Sequence, residues 1–276
     1  MAVDLEQFAQ RGFVTIPAAV DPDLVTAWRD GALIRLRDRA SEELKDSVPR
    51  SEPRDFATLD PARPRTWKWK RATLRGTASA PLAKAAPAVL DGVAQLVGGV
   101  GRLRHQSISN YLIMSFPARG VRRLVATGEA LGGRTPGPGS YHLDDPGPSM
   151  GLEGWRNAVL LVVLFSDIAP GGGGPILACD SPARVARRLA LGGADFVGDD
   201  DCSAIVRECT DLHEVTGQAG DVMILHPFLL HSPTTNRRRR LRVLANPMLQ
   251  VSDTLSFAPG SAARSPLERI TQSWVG

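Results

Sequence analysis

His142-Leu143-Asp144 sets an imidazole and a carboxylate two residues apart. On an extended strand, residues i and i+2 share a face, so the two side chains can converge on one point. Such a pair fits neighbouring corners of a metal's octahedron, and a second histidine from a distant strand completes a facial set of three. The other three corners stay open for a bidentate co-substrate and oxygen. Taken alone, an H-x-D is a common accident, and a surface turn beside Asp145-Pro146-Gly147 explains it equally well. A second segment changes the weighing: from Gly220-Asp221 a glycine turn leads through Val222, Met223, Ile224 and Leu225 to His226-Pro227 and on to His231. His226 and His231 compete for the third corner. His226 precedes a proline and could equally be a core histidine bonded to a backbone carbonyl. Eleven residues past His231 lies Arg242, inside the next apolar run. A guanidinium buried in a barrel needs an anionic partner, which a dicarboxylate supplies through a bidentate pair that suits arginine better than lysine. The motif and this offset favour His231 over His226.

Other chemistry-bearing residues carry less. Arg237 to Arg240 form a short basic run at a turn, with no interleaved aromatic side chains to stack bases, so a solvated loop tip is expected and no nucleic-acid partner. Gly171 to Gly174 lack the Gly-Lys-Ser/Thr of a phosphate loop and precede a proline, which points to a tight turn between strands. His105 and His213 have no metal-spaced neighbour. Cys179, Cys202 and Cys209 are odd in number with no C-x-x-C spacing, which argues against a disulfide framework or a zinc site and for a reducing, cytoplasmic setting. Trp67, Trp69 and Trp155 flank basic residues in segments that could border a pocket or be ordinary half-buried aromatics.

The elements that must hold these residues follow from periodicity. Phe13 to Ile16 predicts a short strand. Asp21-Pro22 is a helix start, a carboxylate cap followed by proline where its missing N–H costs nothing, and Leu24, Val25, Trp28, Leu33 and Leu36 follow at helical spacing. A second helix is predicted from Pro87 to Val97, and others start at Ser181-Pro182 and at Ser265-Pro266-Leu267-Glu268, a capping box. From about residue 105 the period becomes two. Strands are predicted at 107–116, 158–165, 222–225 and 241–249, with 158–165 apolar enough to be buried on both faces. Residues 118–148, rich in Gly and Pro, predict a flap that orders over a bound substrate, or an inert insertion. Helices followed by a strand-rich body predict a mainly β fold with flanking helices, a jelly roll.

With 276 residues, 43% hydrophobic and 22% charged, the composition is that of an ordinary globular chain, and the length fits one domain. We expect residues 1–100 to supply a helical buttress and the first strand, 105–250 the jelly-roll core and 251–276 a C-terminal helix. The net charge of +4 is too small to imply nucleic acid and suits anionic small molecules. No secretion signal is expected at the start of the chain, and the longest apolar run, 158–165, is too short to span a bilayer.

At these residues the chain resembles the phytanoyl-CoA dioxygenase family. The resemblance runs through Phe8 to Asp30, Tyr141 to Asp144, Leu160 to Pro175 and Gly217 to Asn246. It implies a double-stranded β-helix of the cupin-like kind, binding iron(II) through His142, Asp144 and His231 and 2-oxoglutarate through Arg242, with molecular oxygen as the second co-substrate. Halogenating relatives carry a small residue at the carboxylate position, so Asp144 implies hydroxylation or a kindred oxidation of a small organic substrate. Enrichment in Ala, Arg, Gly and Pro, a mark of GC-rich coding DNA, favours natural-product tailoring over the family namesake's acyl-CoA thioester chemistry. From a different class, the alternative is a jelly-roll binding module without turnover, against which an intact triad plus Arg242 argues. The chain departs from the family pattern at Asp145, where glycine is usual, and at Cys179-Asp180-Ser181-Pro182, where Gly-Ser-His is usual. Both segments are expected at the pocket mouth.

Overall fold

The protein is described by a computed structural model covering residues 2–38, 71–117, 140–144, 151–192, 199–238 and 240–276. Twelve strands are assigned among them: β1 (Phe13–Ile16), β2 (Arg71–Leu74), β3 (Ser79–Pro81), β4 (Ser107–Ser109), β5 (Leu112–Ser115), β6 (Trp155–Leu164), β7 (Ile176–Ala178), β8 (Leu212–Glu214), β9 (Val222–Leu225), β10 (His231–Ser232), β11 (Arg242–Ala245) and β12 (Met248–Leu255). The major antiparallel sheet runs β1-β9-β6-β11-β5-β2, with β12 also on β6; a three-stranded sheet runs β10-β7-β8, and β3 pairs with β4.

Two cores lie on opposite faces of the major sheet. Leu160, Val162 and Leu164 of β6 join Ile113, Met223, Leu225 and Leu244 against Leu177, Cys179 and Leu229 from the smaller sheet's side. Val159, Leu161 and Val163, the alternate residues of β6, face a larger cluster that takes in Val25 and Leu36 of the helix Pro22–Asp38 and Val89, Val93, Leu96 and Val97 of the helix Pro87–Val97. Strand β6 is thus buried on both faces, as its unbroken apolar run predicts. This is the mainly β, helix-flanked jelly roll: one face of the large sheet makes the barrel interior, the other the seat for helices.

Local chemistry sets the boundaries. Asp21 Oδ1 accepts from the Asp23 and Leu24 amides (2.8 and 3.3 Å) and opens the helix Pro22–Asp38. Ser265 caps the helix Pro266–Ser273 by accepting from the Glu268 amide, while the Glu268 carboxylate takes the Arg264 amide at 2.9 Å. Two expected strands are each divided. Residues 107–116 split at Asn110, whose side-chain oxygen accepts from the Thr77 and Ala78 amides (2.7 and 2.8 Å) and so stands in for a ladder bond. Residues 241–249 split at Asn246-Pro247, because proline has no N–H to donate. Both halves nonetheless keep one register along β6, Ala245 opposite Val163 and Met248 opposite Leu160. The helix Asp199–Glu208 was not expected from the sequence.

The Gly171–Gly174 turn joins β6 to β7 and crowds the neighbouring chain. A Cβ on Gly174 would stand 1.9 Å from the Val215 carbonyl oxygen, and Gly173 holds φ +86°. It is a close-approach turn, in keeping with its sequence.

Candidate metal centre

The H-x-D segment docks on β10 through its backbone. The His142 amide donates to the His231 carbonyl at 3.1 Å, and the His231 amide returns the bond to His142 at 3.2 Å. An antiparallel pair of this kind puts the two side chains on one face, and the imidazole centroids are 4.6 Å apart. A Ser140–Ser232 hydroxyl contact of 2.8 Å fastens the same pairing. On its other edge His231 pairs with Leu177 of β7, so the histidine is built into a sheet. His142, by contrast, lies in an isolated bridge and not in the regular strand expected for it.

Hydrogen bonding settles the tautomers. His142 Nδ1 donates to the Ser140 carbonyl (3.3 Å) and His231 Nδ1 to the Leu229 carbonyl (3.1 Å), since a carbonyl can only accept. In the neutral rings both Nε2 atoms are therefore bare. Each faces the Asp144 carboxylate, at 3.5 Å from Oδ1 for His142 and 3.6 Å from Oδ2 for His231. One donor atom from each of the three residues lies within 4.8 Å of the other two. Such a group could hold a cation, whether a proton or a metal ion, and the N, N, O set suits a divalent transition metal.

Asn246 was not singled out by the sequence. Its Nδ2 donates to Asp144 Oδ2 at 2.9 Å and orients the carboxylate from behind. Its only signal was its place before a strand-breaking proline. Burial opposes the Asp144 charge, but the facing imidazoles of His142 and His231, as they take up protons, outweigh it and hold the carboxyl well below its usual range. The His142 pKa is raised, first by its contact with Asp144 and against the effect of burial.

The three groups stand in a cleft of about 560 Å³, open solvent at its mouth included, walled by Ile113, Leu160, Val162 and Leu244. Arg242 shares this cleft. It opens β11 opposite Ser115, is 5% exposed, and its Nε has no hydrogen-bond partner among the described residues. Burial, with a smaller push from Arg71, brings its pKa down to about 9, so it stays cationic at neutral pH. Arg71 also lines the cleft. The sequence offered for it only a basic stretch beside Trp67 and Trp69, two residues outside the described set.

The competing histidine lies elsewhere. His226 is 1% exposed, with Nδ1 accepting from the Phe228 amide (3.0 Å) and Nε2 donating to Thr271 Oγ1 (2.9 Å), whose own proton goes to Leu267. Its partners are thus a backbone amide and a hydroxyl, where a backbone carbonyl was expected, and burial drives its pKa down to about 3. His105 is exposed, and His213 stacks on Phe13 at 5.0 Å. Trp155 is buried and edge-on to Phe228, away from the cleft lining. Arg238 donates to the Pro170 carbonyl at the glycine turn, and Arg239 lies outside the described residues. Cys179 to Pro182 is not at the cleft mouth: Cys179 fills the barrel interior, and Ser181 Oγ accepts from the Leu230 amide beside His231. Asp145 is outside the described residues.

No protein-family model matches the chain, and no curated protein does. Solved structures match in fold. The non-haem α-ketoglutarate-dependent carbocyclase SnoK from nogalamycin biosynthesis aligns over 91% of this chain and 84% of its own, at TM-score 0.52 and 14% identity. HygX from Streptomyces hygroscopicus, with nickel and 2-oxoglutarate bound, aligns over 91% and 88% at TM-score 0.48 and 15% identity. At 14% identity the carbocyclase match establishes a shared fold.

Proposed function

We propose that this chain is an iron(II)- and 2-oxoglutarate-dependent dioxygenase of the phytanoyl-CoA dioxygenase type, one domain throughout, that hydroxylates a small organic substrate. The observation carrying this reading is the pairing, within one cleft, of two bare Nε2 atoms and a carboxylate with a buried arginine whose Nε has no partner among the described residues. His142, Asp144 and His231 would hold the metal, and Arg242 the distal carboxylate of 2-oxoglutarate. When bound, the metal supplies oxidative decarboxylation of 2-oxoglutarate by oxygen, to succinate and carbon dioxide, coupled to oxidation of the substrate. The protein's own part is to present the donors already oriented. The backbone carbonyls of Ser140 and Leu229 fix the imidazoles, Asn246 fixes the carboxylate, and Ile113, Leu160 and Val162 keep the inner wall dry. A role in natural-product tailoring accords with the nogalamycin pathway of the carbocyclase neighbour.

The test is succinate formation and oxygen consumption with iron(II) and 2-oxoglutarate, together with metal binding by equilibrium dialysis. Alanine at His142, Asp144 or His231 should abolish both turnover and tight metal binding while the fold persists. His226→Ala should keep metal binding and lose stability, by about 3 kcal/mol, as for other large buried rings. Metal binding lost in His226→Ala and kept in His231→Ala would overturn the ligand assignment.

A further inference from the structure

Arg71 and Arg242 stand in register on either side of Ser115, Arg71 on β2 and Arg242 on β11, with β5 between them. Directly opposed residues share a face, so both side chains rise from the inner face of the sheet, about 10 Å apart at the backbone across two strand spacings. Both line the cleft that holds His142, Asp144 and His231. Their surroundings differ: Arg242 is buried and Arg71 is exposed, so one cation lies deep and the other at the mouth. The Arg71 side chain has no hydrogen bond or ion pair among the described residues, and among those of them that line the cleft Asp144 is the only carboxylate.

We infer that Arg71 binds an anionic group of the substrate to be oxidised, so that this substrate is a small molecule carrying a carboxylate, sulfate or phosphate. The inference rests on the dioxygenase reading. With a divalent metal and a dicarboxylate co-substrate in place, Asp144 and the two guanidiniums leave one positive charge unmatched among the described lining residues, and it lies on the open side. A neutral substrate would leave that charge to solvent and make no use of it. An anionic one would be held at a single point at the mouth, with the rest of the molecule directed along the apolar wall of Ile113 and Leu160 towards the metal.

The experiment uses zinc(II)-loaded protein saturated with 2-oxoglutarate and titrates sulfate, following the arginine Nε–H resonances by NMR. Saturable shifts at Arg71 are expected, with the midpoint about fivefold higher in Arg71→Gln and largely restored in Arg71→Lys, as for a partly exposed charge pair. The affinity for 2-oxoglutarate should change less than about threefold in Arg71→Gln and at least about tenfold in Arg242→Gln. An equal loss of 2-oxoglutarate affinity in both variants would assign Arg71 to the co-substrate and overturn the inference. So would a sulfate response that is unsaturable or unchanged in Arg71→Gln. If wild-type protein bound no 2-oxoglutarate, the dioxygenase reading would fall, and sulfate titration of the zinc protein alone would still report on Arg71.

Discussion

Both site histidines give their Nδ1 proton to a backbone carbonyl, and this makes two ordinary imidazoles into a pair of aimed donors. Their carboxylate partner depends on a third group, Asn246. Asn246→Ala frees Asp144 Oδ2, and metal affinity should fall about ten- to hundredfold with the fold intact, the usual cost of losing such support. Unchanged affinity would make the hydrogen bond incidental. Protons compete with the metal at His142. Asp144 raises the His142 pKa above its ordinary 6.5 in the metal-free protein, so binding must displace a proton across that range. Metal affinity should therefore fall as the pH is lowered from 8 to 6 by linkage, whereas Asp144, held well below its usual range, adds no competing proton in that window. Dialysis at the two pH values checks the sign; affinity rising as pH falls would contradict it. His142, Asp144, His231 and Arg242 were singled out in the sequence by their residue types and their offsets. Asn246 and Arg71 were not, since their positions depend on which strands lie side by side.

Among elements, those with strong local chemistry were legible: the helices after Asp21 and Ser265 from their caps, and β6 from its unbroken apolar run. Strands β7, β8 and β10, two or three residues each, are too short to show a period, although β7 and β10 build the smaller sheet that carries His231. Where 107–116 and 241–249 divide, a side chain or a proline replaces the ladder, a substitution that periodicity does not register. Strand β11 carries a buried cation on its first residue, which opposes folding unless an anion joins it. Arg242→Met should therefore raise the thermal midpoint without 2-oxoglutarate, by at least about 2 °C for a gain near 1 kcal/mol. It should also abolish the further rise that 2-oxoglutarate gives wild-type protein. A lower midpoint in the variant would show that Arg242 is already compensated.

At the scale of the molecule, one large sheet serves two purposes, its outer face seating helices and its inner face forming the wall on which the cleft opens. The flap expected over 118–148 falls outside the described residues except for 140–144, which hold His142 and Asp144. No helix among the described residues is long and apolar enough to cross a membrane. The jelly roll was readable from the order of helices and period-two runs, and its double-stranded β-helix form was implied by the resemblance; the packing that brings β2, β5 and β11 together beneath His142, Asp144 and His231 was not readable. The central claim is that this wall and the docked H-x-D segment assemble one metal and co-substrate site. A crystal soaked anaerobically with iron(II) and 2-oxoglutarate tests it most directly. The account predicts metal density bonded to His142 Nε2, His231 Nε2 and the Asp144 carboxylate, with the distal carboxylate of 2-oxoglutarate on Arg242. Metal at His226, or a co-substrate held away from Arg242, would contradict it.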